Sequence, residues 1–189
     1  MAHKFDPKES HKLESEERRR SMPPERTLRK LGLKRGMTFV DAGAGTGYFA
    51  FAAAELVGPE GRVYAIDVEP AMLQALEAKR PPKWLVPVKC DETRFPIPDA
   101  VADMALACFV LHEAHEPVAF LRELGRVTKP YAPIRVLEWA KRRQPEGPPF
   151  QERLHHHRVE ALVLEAGLCF QGLEFFNPSQ YAVTAFRKP

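Results

Sequence analysis

Val40-Asp41-Ala42-Gly43-Ala44-Gly45-Thr46-Gly47 is the stretch from which the rest of the chain can be ordered. The run that leads into it, Met37 to Asp41, is short and rich in β-forming residues, which predicts a buried strand. The run that follows, Tyr48 to Val57, is rich in Ala and Leu and predicts a helix that Gly58-Pro59 stops. A strand that enters a helix through alternating glycines is the geometry of a ligand-binding turn. Glycine permits positive φ and leaves no Cβ, so a small molecule can approach main-chain N–H groups at a helix N-terminus. In an open sheet of parallel strands, ligands sit at the carboxyl edge.

Outward from this turn, strands and helices alternate. Arg62–Ile66, Leu85–Lys89, Asp103–Phe109 and Ile134–Trp139 read as strands, and Pro70–Lys79, Pro117–Thr128 and Phe150–Ala166 as helices. A short helix, ERTLRKLG, precedes the first strand and stops at Gly32. Leu168–Phe176 and Tyr181–Phe186 follow each other without a helix, joined through Asn177-Pro178-Ser179-Gln180. Alternation requires crossover connections, hence a parallel sheet with helices on both faces, and the last pair adds one antiparallel strand. The 189 residues amount to about one domain. Residues 23–189 are expected to form it, behind a charged leader, residues 1–22, that is either solvated or an arm that orders over a ligand.

Composition narrows the function classes. Apolar residues make up 44% and charged residues 28%, which is ordinary globular usage and excludes a mainly disordered chain. The net charge of +3, with only the short clusters Arg18-Arg19-Arg20 and Lys141-Arg142-Arg143, gives no basis for a nucleic-acid substrate. Cys90, Cys108 and Cys169 are too widely spaced for a disulfide framework or a CxxC metal pattern, and a reducing cytoplasm is expected. Met104–Leu111, the longest apolar run, falls far below the ~18 residues that span a bilayer.

Which ligand the turn holds is decided beside the glycines. Gly45-Thr46-Gly47-Tyr48-Phe49-Ala50 fits G-x-G-x-x-A, so a dinucleotide is open on glycines alone. Asp41 discriminates: a carboxylate at the end of the strand repels a pyrophosphate and welcomes a cation. S-adenosylmethionine (SAM) carries an ammonium and a sulfonium and no phosphate. Asp67 follows Gly45 by 22 residues, where a carboxylate can accept from both ribose hydroxyls. Asp91, with Glu92 beside it, ends the third strand and either accepts an adenine amine or caps the turn.

These segments together resemble a class I SAM-dependent methyltransferase of the ubiquinone/menaquinone-biosynthesis-like (type 11) family. The resemblance is carried in order by VDAGAGTG, VYAIDVEPAML, KCDETRFPIPDAVADMALACFVLHEAHEP and FLRELGRVTKPYAPIRVLEW, over about residues 25–140. It implies a Rossmann-like seven-stranded sheet of order 3-2-1-4-5-7-6 with strand 7 antiparallel. It further implies that Asp41 and Gly43 to Gly47, with Ala42 and Ala44, face the methionine part of SAM. Asp67 and Val68 would face the ribose, and Asp91 and Glu92 the adenine. Ala107 and Cys108 would line the methyl-transfer cleft. Two departures stand out: Tyr131, where the family usually has Gly, and the proline-rich link Arg80-Pro81-Pro82.

The function expected is methyl transfer from SAM to a small-molecule acceptor by in-line displacement. The alternatives are a SAM- or nucleotide-binding regulatory module without turnover, and a nicotinamide oxidoreductase. Positioning alone supplies most of such a reaction, and a general base helps only if the acceptor is protonated. His112 and Glu113 are candidates for that base, with a surface or capping role as the other reading. Trp139 can form an apolar wall, and Gly147-Pro148-Pro149-Phe150 starts either a lid or a structural turn. His155-His156-His157 is read without a metal, since consecutive helical side chains diverge by about 100°.

Overall fold

The computed structural model describes residues 15–189; the leader residues before Ser15 lie outside the described residues. Seven strands form one sheet: β1 (Thr38–Ala42), β2 (Arg62–Asp67), β3 (Leu85–Lys89), β4 (Met104–Cys108), β5 (Ile134–Trp139), β6 (Cys169–Asn177) and β7 (Gln180–Phe186). Their order is β3-β2-β1-β4-β5-β7-β6, and every pairing is parallel except the two that β7 makes. The expected sheet is therefore the observed one.

The helices are α1 (Glu16–Ser21), α2 (Pro24–Leu31), α3 (Tyr48–Val57), α4 (Pro70–Ala78), α5 (Pro117–Val127) and α6 (His156–Glu165), with a 3-10 turn at Leu111–Glu113. They cover both faces, so β4 is buried at each of its five residues and reads as a continuous apolar run. The strand period of two still sorts its side chains. Met104, Leu106 and Cys108 pack on one face with α2 and α3, while Ala105 and Ala107 pack on the other with α5 and α6. Among the described residues no helix is long and apolar enough to cross a membrane.

Three local departures have physical causes. The helix expected from Phe150 starts only at His156. Upstream of it, Arg153 is almost fully buried and donates to the carbonyls of Pro148 (2.8 Å), Arg142 (2.9 Å) and Glu146, which holds residues 142–153 as a folded loop. The end of the leader is not solvated throughout: Met22 is buried, and Tyr48 Oη donates to its carbonyl at 2.9 Å. Tyr131 takes φ 63°, the left-handed conformation that suits the glycine of the resembled family at this turn.

The histidine run also differs from expectation. His155 is the extended N-cap of α6 and not a helical residue, so the 100° argument does not apply to it. The three rings lie tilted to one another with centroids 4.1–5.1 Å apart, and their ligand atoms lie within 4.8 Å of one another.

Candidate active site

The carboxyl ends of β1, β2, β4 and β5 open into one cavity of about 1290 Å³. That exceeds the ~300–1,000 Å³ of ordinary small-molecule pockets and leaves room for a donor and an acceptor together. One end is walled by Asp41, Gly43, Ala44, Gly45, Asp67, Val68, Met72, Cys90, Glu92 and Phe95. The other is walled by Phe109, His112, Glu113, Trp139, the 142–152 loop and Asn177–Gln180. Arg18 of α1 reaches the same cavity, with its guanidinium 4.3 Å from the Tyr48 ring centroid.

The glycine loop is built differently from the expected cradle of free N–H groups. Gly43 and Ala44 N–H both donate to the Ile66 carbonyl (2.8 and 3.0 Å), and Gly47 N–H to the Ala44 carbonyl (2.9 Å). Gly45 N–H donates to Asp67 Oδ2 at 2.7 Å. These four donors are committed to the protein, so they do not serve a phosphate. Glycine is needed here for shape. Gly43 has φ +72°, and a Cβ on it would lie 2.3 Å from Val110 Cγ2. Gly47 caps α3 at φ 94°.

Asp41 stands at the mouth of this loop, 2% exposed, and its Oδ2 has no hydrogen-bond partner among the described residues. Burial pushes its carboxyl up to about 7, with the neighbouring Asp67 adding to the effect and the Arg18 guanidinium opposing it. Asp67 is held at both oxygens, by Gly45 N–H and by Glu69 N–H at 2.8 Å. Each carboxylate oxygen has a second lone pair, so the aligned group can still accept from a diol. Burial raises the Asp67 pKa as well. Burial pushes the Cys90 thiol up to about 12 and Cys108 further, which disfavours the thiolate of both near neutrality.

The structure brings Asp41, Gly43, Ala44, Gly45, Asp67, Val68, Glu92, His112 and Glu113 of the expected site residues onto the cavity wall. It does not bring Ala42, Gly47, Asp91 or Ala107 there. Ala42 and Ala107 are wholly buried in the core. Asp91 exchanges backbone hydrogen bonds with Arg94 and is exposed, which leaves Glu92 as the carboxylate on the cavity. Glu92 accepts from Glu116 N–H at 2.6 Å and lies 3.3 Å from His115 Nδ1. Arg18 was not among the expected site residues, whereas Glu138, with Trp139 and Lys141 at the end of the fifth strand, was an acceptor-side candidate without an assigned role. Glu138 is next to last in β5, as Asp41 is in β1, and an acidic residue at the carboxyl end of a parallel strand is the signal that marks it.

A turn whose N–H groups are committed to the protein and a buried carboxylate with one orphaned oxygen, at the switch point of a 3-2-1-4-5-7-6 sheet, define a site for a cationic nucleoside donor, the class of SAM-dependent methyltransferases. The family profile described as "Methyltransferase domain" matches residues 40–134, and the chain belongs to that family. Ubiquinone/menaquinone biosynthesis C-methyltransferase UbiE of Cupriavidus taiwanensis is 34% identical over 117 residues, 61% of this chain and 48% of that one. Demethylmenaquinone methyltransferase of Geobacillus kaustophilus is 35% identical over 109 residues, 56% of this chain and 47% of that one. The chain spans about half the length of these two relatives. A solved SAM-dependent methyltransferase from Aquifex aeolicus superposes with a TM-score of 0.90 at 34% identity, covering 96% of this chain and 98% of its own. SAM is the cofactor, and the donor set fits it: the orphaned Asp41 oxygen matches a cation, and no loop N–H of the four waits for a phosphate.

Proposed function

We propose that this protein transfers a methyl group from SAM to a small-molecule acceptor. Bound SAM supplies a methyl carbon activated by its sulfonium. The chain's residues divide the remaining work. Asp41, with Gly43, Ala44 and Gly45, receives the cationic methionine end, and Asp67 beside Val68 receives the ribose. Glu92, Cys90 and Phe95 wall the adenine end. Phe109 and Trp139, stacked at 4.8 Å with an interplanar angle of 27°, wall the acceptor half. Phe109 holds φ 60° to do so, a strained value for an aromatic residue at the end of a strand. The names of the relatives support a ring carbon as the acceptor atom. α1 and residues 142–153 act as the lid over both halves. Three free thiols support a reducing, cytoplasmic compartment.

The observation that carries this reading is the buried Asp41 carboxyl, with its Oδ2 unpartnered among the described residues, beside a loop with four N–H groups committed elsewhere. Calorimetry with SAM, S-adenosylhomocysteine and NADH tests the donor. The expected result is binding of the first two and none of NADH; the reverse would refute the assignment. Transfer of labelled methyl to a panel of metabolites separates an enzyme from a regulatory module, because a regulator binds SAM and labels nothing.

A further inference from the structure

This inference deepens the methyl-transfer reading and rests on it. His112, in the 3-10 turn after β4, meets Glu138, at the end of β5, with Nδ1 2.8 Å from Oε2. Glu138 has no exposed surface, and the His112 side chain is 5% exposed. Glu138 also accepts from His112 N–H at 3.1 Å and from Trp139 N–H at 3.3 Å. A carboxylate this deeply buried is tolerable only with such partners, and it dictates the imidazole's tautomer. A neutral ring must carry its proton on Nδ1, which leaves the lone pair on Nε2. His112 and Glu113 both line the cavity, and Nε2 lies 3.8 Å from Glu113 Oε1.

We propose that His112 is the general base of the reaction and that Glu138 positions it, so that the acceptor is one that must shed a proton to react. A thioether or tertiary amine attacks with an existing lone pair and would leave this buried pair without a use. In the step, Nε2 takes the acceptor's acidic proton and the released electron pair forms the bond from the acceptor's nucleophilic atom to the methyl carbon; where that atom is a ring carbon, its hydrogen then leaves as a proton as the ring regains aromaticity and the oxygen is reprotonated. The carbon–sulfur bond breaks, its electrons return to sulfur, and a neutral thioether leaves. The imidazolium stays against Glu138, the geometry by which a buried acid holds a histidine base.

The charged groups facing the ring are Glu138 from β5, Glu113 on its own turn and Glu152 ahead of α6; Cys108 and Tyr181 nearby stay neutral. Burial disfavours the charged ring, yet these carboxylates carry the imidazole above its ordinary value. The rate should therefore rise with pH through a midpoint above that value.

Nitrogen NMR of His112 in the S-adenosylhomocysteine complex tests the pair without turnover. The expected result is an Nδ1–H neutral ring, with Glu138→Gln lowering the titration midpoint by a pH unit or more and Glu138→Asp preserving it. An Nε2–H ring, or a midpoint unmoved in Glu138→Gln, would overturn the proposal. With naphthohydroquinone as acceptor, His112→Gln should lower kcat by ~10²–10⁴ while SAM affinity by calorimetry stays within about twofold. A His112→Gln enzyme as fast as the parent, or a parent that methylates N,N-dimethylaniline and not naphthohydroquinone, would also overturn it. Failure of the parent to bind SAM refutes the methyl-transfer reading itself and is read separately from the NMR result.

Discussion

Gly45 N–H and Asp67 Oδ2 are 2.7 Å apart, so the turn after β1 and the carboxylate that ends β2 form one unit. Because Glu69 N–H takes the other oxygen, an asparagine at this position would turn its NH₂ toward a donor in either flip. Asp67→Asn is thus no milder than Asp67→Ala. Both should weaken SAM binding by about 100-fold, from the loss of charge-assisted bonds of ~1.5–3 kcal/mol each. Calorimetry measures this, and a fall in melting temperature should accompany it.

The pH dependence follows from Asp41. Its carboxyl titrates at about 7 in the folded chain, against 3.8 ordinarily, so the folded state binds more protons between these values. The free protein's stability from this group is complete below 3.8 and declines as pH rises through about 7. The cofactor's cation needs the ionised form, so SAM affinity moves the opposite way and strengthens from pH 6 to 8, about tenfold per unit on the acid side. Binding at neutral pH should release a proton, seen as a dependence of the calorimetric heat on the buffer's ionisation enthalpy. Asp41→Asn should abolish both trends.

Gly43→Ala combines left-handed φ with a 2.3 Å contact to Val110. It should destabilise the fold by about 2–3 kcal/mol in urea unfolding. Adding Val110→Ala should recover the steric share and not the backbone share. The resulting coupling in a double-mutant cycle separates the two causes.

Arg153→Met removes the donors that three loop carbonyls depend on. The 142–153 loop should loosen, with stability falling by about 2–3 kcal/mol. Limited proteolysis should then cut within residues 142–153 before any site in the sheet, and SAM should protect less than it does in the parent.

The parallel strands were readable in advance because each is a short apolar run between turn residues, and Gly43 to Gly47 show where the ligand edge lies; the order of the strands came from the family resemblance. What sequence hides is phase and distance. Asp91 and Glu92 are equivalent by composition, and only the backbone pairing with Arg94 turns Asp91 outward. Phe150–Arg153 carries a helical pattern that the buried guanidinium of Arg153 overrides. His112 was visible as a candidate, but its partner Glu138 lies 26 residues away. Their meeting depends on β4 and β5 being neighbours in register, Cys108 against Leu137.

The position of β7 between β5 and β6 has a consequence for how the site is assembled. Trp139 pairs with Gln180, so the wall that would face an acceptor is closed by the strand translated last among the seven. The donor's seat, made by the ends of β1 and β2 and the turn after β3, takes no residue from that strand. A lesion confined to the last two strands would thus strike the half of the cavity meant for the receiving molecule and leave the donor's half its own residues.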